Sequence, residues 1–147
     1  MAERFFNLEE AEKLLPAIER LLQAAIESKK TVEAVETEMS QVRGRIMLLG
    51  GMLPEHSVLS QRKLKKDESF TQLQGTLQEI AANGCLVKDL DIGLVDFPCL
   101  MDDREIYLCW KLGEPKIGFW HDVEEGFGGR KPLDKEFLDR INRPRPN

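Results

Sequence analysis

Four side chains of one short stretch, Asp96, Cys109, Glu114 and His121, are of types that ligate transition metals. Carboxylate, thiolate and imidazole together suit zinc or iron. Their spacing is not that of a zinc finger, so strand pairing has to bring them together. Cys109 is also a nucleophile by type, which would need a base within reach and a depressed pKa. Further on, Gly126-Phe127-Gly128-Gly129-Arg130 clusters glycines whose N–H groups can converge on an anion, beside an Arg able to clamp a carboxylate or phosphate. No Lys-Ser/Thr follows, which excludes a nucleotide P-loop. Asp89-Leu90-Asp91-Ile92-Gly93 begins like a calcium loop. Its glycine comes one place early and Leu100 stands where the closing acid belongs, so it reads as a turn.

The elements that must position these residues follow from aromatic content and periodicity. No aromatic residue occurs from Asn7 to Ser69, whereas seven of the ten lie between Phe97 and Phe137. Long helices are expected first and a compact sheet second, because aromatic and β-branched residues suit a pleated, half-buried surface. Asn7 can cap a helix, Glu10 can reach back to it, and Phe6 before the cap can act as a staple. An apolar stripe runs through Leu8, Ala11, Leu15, Ile18, Leu22 and Ala25, then Val32, Val35, Met39, Val42, Ile46 and Leu49. Pro16 removes the bond to the Glu12 carbonyl and is expected to kink or split this helix. Gly50-Gly51 ends it, and a short link with Pro54 turns the chain back. A second helix from Ser57 to Asn83 is expected to pack antiparallel through Leu59, Phe70, Leu73, Leu77 and Ile80, with Gly84 as its left-handed stop.

Beyond Gly84 the period becomes two, giving strands Cys85–Lys88, Leu94–Pro98, Ile106–Leu112 and Ile117–His121 in an antiparallel meander. A two-residue turn at Asp102-Asp103 pairs Asp96 with Cys109 and Val95 with Trp110. A turn centred on Glu114-Pro115 pairs Cys109 with Trp120 and Leu108 with His121. Both registers put Val95, Phe97, Leu108, Trp110, Ile117 and Phe119 on one face. The other face then carries Asp96, Cys109 and Trp120 in a row, and His121 falls on the apolar side. The fold class is thus α+β, in a single domain over residues 1–139. It divides into a helical hairpin (7–83), a β-meander (85–122) and a C-terminal loop or helix (123–139); residues 140–147, rich in Pro and Arg, form a flexible tail.

Composition narrows the setting. With 147 residues, 21 Lys+Arg and 26 Asp+Glu, the net charge is −5. Basic and acidic side chains number 11 and 13 up to Asn83 and 10 and 13 after it, so neither half is a basic module and no nucleic-acid partner is expected. Arg62-Lys63-Leu64-Lys65-Lys66 is followed at once by Asp67-Glu68 and reads as a solvated helix face, with a docking patch as the alternative. No run approaches the ~18 apolar residues of a membrane span, and Met1-Ala2-Glu3-Arg4, which runs straight into an acidic segment, is not expected to open a secretory leader. Three cysteines without a Cys-x-x-Cys pair fit reduced thiols, and a cytoplasmic location is expected.

The strings Gly93-Leu94-Val95-Asp96-Phe97-Pro98, Leu108-Cys109-Trp110, Gly113-Glu114, Trp120-His121, Gly126-Phe127 and Gly129-Arg130-Lys131-Pro132 resemble the bacterial family known as domain of unknown function 2203. The opening Glu9-Glu10-Ala11 to Leu14-Leu15-Pro16 is similar as well. The resemblance implies a long helical hairpin followed by a small sheet and carries over no catalytic role. Two function classes follow. The first, which the long hairpin and the incomplete chemistry favour, is a non-enzymatic oligomerisation or protein-interaction module, a homodimer through the hairpin or bound to a protein partner, without cofactor. The second is a small-ligand or metal-binding protein, enzymatic or not. It would use Asp96, Cys109, Trp120, Glu114 and Arg130 for a ligand, or Asp96, Cys109, Glu114 and His121 for zinc or iron.

Overall fold

The computed structural model describes residues 4–48, 50 and 56–141. Helix α1 spans Leu8–Leu48 and α2 spans His56–Ala82. The strands are β1 Leu86–Asp89, β2 Leu94–Met101, β3 Arg104–Lys111, β4 Phe119–Asp122 and β5 Lys131–Pro132, and helix α3, Lys135–Ile141, closes the chain. All five strands form one antiparallel sheet in chain order. The architecture is α+β, a helical hairpin packed beside a meander. Among the described residues, no helix is long and apolar enough to cross a membrane.

The first helix starts where its cap dictates. Asn7 Oδ1 accepts the Glu10 N–H at 2.8 Å, and Glu10 Oε1 accepts the Asn7 N–H at 3.2 Å. Phe6 is driven into the core, edge-on to Phe97 at 5.5 Å, and its N–H donates to the Pro98 carbonyl. α1 runs through Pro16 as one element, so the expected split is absent. Pro16 lies on the exposed face, where the freed Glu12 carbonyl can turn to water. The first half of α1, through Ala11, Leu15, Ile18 and Leu22, packs on the sheet; Val35 and Met39 are buried farther along. Glu38 pairs with Arg62 and Glu36 with Lys66, which fixes the antiparallel sense of the hairpin. The expected link, with Gly51 and Pro54, lies outside the described residues, as does residue 49.

α2 ends in a glycine-closed turn. Gly84, at φ +93°, donates to the Ala81 carbonyl while Cys85 donates to that of Ile80, and the buried Ile80 and Cys85 pack across the turn. The stripe read for α2 needs one correction. Ser69, not Phe70, turns inward: Ser69 is 9% exposed and Phe70 48%. Leu59, Arg62, Lys66, Ser69, Leu73, Leu77 and Ile80 recur at three- and four-residue steps, so the inward stripe of α2 is polar through its middle.

In the sheet, Asp102 and Asp103 both have positive φ, the primed turn that matches the twist of a tight hairpin. The β2–β3 register is the expected one, with Asp96 opposite Cys109 and Val95 opposite Trp110. Gly93 at φ +75° is required, since a Cβ there would meet Leu112 Cβ at 2.6 Å. The β3–β4 register differs by one residue from expectation: Tyr107 faces His121, Leu108 faces Trp120 and Cys109 faces Phe119. The chain turns at Lys111–Glu114, where the Glu114 N–H reaches the Lys111 carbonyl and Gly113 takes φ +104°. It rejoins the sheet only at Phe119. A slip of one residue inverts every side chain of the strand. Trp120 therefore turns to the helix side, where it stacks on Phe137 at 4.7 Å, and His121 turns away from it. Arg140 and Ile141, assigned to the tail by sequence, belong to α3, and Ile141 is buried. Residues 142–147 lie outside the described residues.

Candidate metal centre

The face of the sheet turned away from the helices collects Asp96 from β2, Cys109 from β3 and His121 from β4. Each is essentially fully buried: 0%, 0% and 1% exposed. Strand pairing sets Asp96 directly beside Cys109, and the shifted β4 register brings His121 to the same face. The His121 ring crosses over the middle strand to Asp96, with Nε2 3.0 and 3.1 Å from the two carboxylate oxygens. It also meets Tyr107 edge-on at 5.6 Å. One donor atom from each of Asp96, Cys109 and His121 lies within 4.8 Å of the other two, the three-ligand group found among the described residues.

Protonation follows from the partners. His121 Nδ1 lies 2.8 Å from the Asp122 carbonyl, which can only accept, so Nδ1 carries a proton. Between Nε2 and the carboxylate there is then one further proton, held by either partner. Burial pushes the Asp96 carboxyl up, against the pull of His121 and of the Cys109 thiol. Burial, reinforced by the Asp96 charge, pushes the Cys109 thiol up to about 12. In this state Cys109 is a protonated thiol hydrogen-bonded to Asp96, and both nitrogens of His121 are occupied elsewhere. The order is Cys–Asp–His, with the acid in the middle, so His121 is not the base of a cysteine nucleophile.

The same order suits a metal ion. A histidine ligand needs its far nitrogen protonated and anchored, usually on a backbone carbonyl or carboxylate, and Asp122 supplies that anchor. Ligand atoms around tetrahedral zinc stand roughly 3.3–3.8 Å apart, given bonds of about 2.0–2.3 Å. A small contraction would close this cluster to that size.

Residues 4–133 match the family model described as Uncharacterized conserved protein (DUF2203). The chain belongs to that family. Among curated proteins and solved structures, nothing matches it.

The remaining residues singled out in this DUF2203 chain sit apart from the cluster. Glu114 Oε1 is taken by Arg130 Nη2 at 2.6 Å and by the Lys111 N–H at 2.7 Å, so it is an anchor in the β3–β4 turn and not a fourth member of the group. Trp120 is on the helix side, with Lys131 over its ring. Arg130 does border the cluster: its guanidinium lies over Phe119 at 4.1 Å and donates to the Cys109 carbonyl at 3.3 Å. Sequence reading missed the Asp122 carbonyl, which has no side-chain signature, and the joining of His121 to Cys109, which depended on the turn.

Proposed function

We propose that this protein binds one divalent transition metal ion, zinc by preference, through Asp96, Cys109 and His121. The observation that carries the reading is the meeting of carboxylate, thiol and imidazole in one buried spot, with His121 Nδ1 already bonded to a backbone carbonyl. A sulfur and a nitrogen donor select zinc or iron over calcium or magnesium. Full burial of all three residues favours a structural ion that ties β2, β3 and β4 together. Asp96 can offer one or both oxygens, since both already face Nε2.

Binding would displace the thiol proton and the proton shared by Asp96 and His121, about two per ion at neutral pH. Dialysis against zinc followed by elemental analysis is expected to give one ion per chain. Cobalt substitution is expected to produce a thiolate-to-metal charge-transfer band that Cys109→Ser removes. Substoichiometric metal with no such band would overturn the reading.

A second reading concerns the hairpin. Met47, Leu48, Leu64 and Phe70 are large apolar side chains left 81%, 87%, 60% and 48% exposed on its two helices. That supports self-association through the hairpin, most simply as a two-fold dimer. Sedimentation equilibrium at high micromolar concentration tests it, and a monomer there would overturn it.

A further inference from the structure

We propose that Arg130 and Glu114 form a latch over the Asp96–Cys109–His121 cluster, and that the segment carrying Arg130 swings away to admit an ion. The inference rests on the metal-binding reading and assigns that site its entry path. All three donor residues are buried, so an ion has no way in unless something moves. On the helix side the sheet is sealed by the core, with Phe97, Leu108 and Trp110 packed under α1. On the other side the cover over Cys109 is Arg130, whose guanidinium lies on Phe119, the strand neighbour of Cys109, and bonds the Cys109 carbonyl.

The two halves of the latch are unequally held. Glu114 is fixed in its turn by three further hydrogen bonds: its Oε1 accepts the Lys111 N–H, its own N–H donates to the Lys111 carbonyl, and its carbonyl accepts from Trp110 Nε1. Arg130 ends residues 123–130, a loop bonded mostly within itself: the Gly129 N–H donates to the Gly126 carbonyl, the Arg130 N–H donates to that of Phe127, and Glu125 packs against Gly129. Gly126 and Gly128 have no neighbour near their Cβ positions, and Phe127 is 43% exposed. A loop tied chiefly to itself, and joined to the sheet by the two-residue strand β5, opens more readily than the longer strands beneath it. Arg130 Nε is buried and has no partner, a cost borne only while the latch is closed. The charge-assisted bond to Glu114, at 2.6 Å, opposes that bias.

The three cysteines let the latch be tested without metal. Cys85 and Cys99 are buried away from Arg130 and react only if the fold itself loosens, whereas Cys109 reacts when the latch opens. The metal-free protein is treated with excess maleimide, at concentrations where the rate no longer depends on reagent. Opening then limits the reaction and thiol acidity drops out. Labelling at each cysteine is followed by peptide mass spectrometry. In Arg130→Gln and in Glu114→Gln, Cys109 is expected to label about tenfold faster, the change that corresponds to ~1.4 kcal/mol, while Cys85 and Cys99 keep their rates. Equal acceleration of all three cysteines, or no change at Cys109, would overturn the latch. Failure of the metal reading is seen separately, as absence of zinc from the unmodified protein.

Discussion

His121 reaches over the middle strand of the sheet to Asp96, 25 residues earlier in the chain, and neither residue is exposed to solvent. Each is the reason the other can be buried. Asp96 alone would be an unpaired acid in a dry site, and His121 alone would leave Nε2 without a partner.

Breaking this pair should therefore be expensive, and unequally so. His121→Ala leaves the Asp96 carboxyl buried with the thiol beside it and the Lys88 charge farther off, and should cost ~3–5 kcal/mol. Asp96→Asn keeps a hydrogen-bonding group at Nε2 and should cost less, about 1–2 kcal/mol. Urea denaturation of the two metal-free variants checks both the sizes and their order. A loss below ~1 kcal/mol for His121→Ala would show that the pair does not hold the sheet together.

The buried thiols predict an alkaline loss of stability. Burial pushes Cys85 up to about 12, and burial with the Asp96 charge does the same for Cys109, against an ordinary thiol value of 9.0. Because the folded values are raised, the unfolded chain gives up these protons first as pH rises. Their contribution is complete below pH 9.0 and is lost progressively towards about 12. The slope is at most ~1.4 kcal/mol per pH unit for each thiol. Urea midpoints followed upward from pH 9 should fall less steeply in Cys109→Ala than in the unmodified protein, in metal-free buffer.

How much of this was legible in the sequence depends on whether a local signal fixed the geometry. Asn7 and Glu10 form the expected capping box, and Gly84 closes α2 as expected, because the atoms that decide both are a few residues apart. Asp102-Asp103 likewise fixes the β2–β3 register. The β3–β4 connection misled because Gly113-Glu114-Pro115-Lys116 offers two ways to turn. Closing at Lys111–Glu114 uses the Glu114 side chain as well as its backbone, a choice stabilised by Arg130, 16 residues away in the chain. Strand parity then moved Trp120 and His121 to opposite faces from those expected. Phe70 misled differently: two neighbouring stripes of α2 have equally good spacing, and α1 meets the one through Ser69.

Trp120 gives a direct check on that parity. Its ring stacks on Phe137 and packs against the core, on the side of the sheet away from Asp96. Trp120→Ala should destabilise by ~2–3 kcal/mol, at or below the lower end for a large aromatic because the residue is only partly buried. Its zinc stoichiometry under native conditions should equal that of the unmodified protein. Loss of zinc in a variant that remains folded by circular dichroism would put Trp120 back on the cluster face.

Pro16 tests whether the first helix needs its proline. α1 continues through it, yet the ring removes one backbone hydrogen bond, and a proline inside a helix costs about 3 kcal/mol relative to alanine. The buried neighbours Ala11, Leu15 and Ile18 point to the sheet, whereas Pro16 is exposed, so its replacement removes no core contact. Alanine does give the unfolded chain more freedom, which takes back ~0.4–1 kcal/mol. Pro16→Ala should therefore stabilise the protein by about 2 kcal/mol, which in a chain of this size raises the melting temperature by roughly 4–8 °C. Calorimetry of the metal-free protein gives the answer. A lowered melting temperature would mean that α1 relies on a bend at Pro16 to lay Phe6, Leu15 and Leu22 on the sheet together.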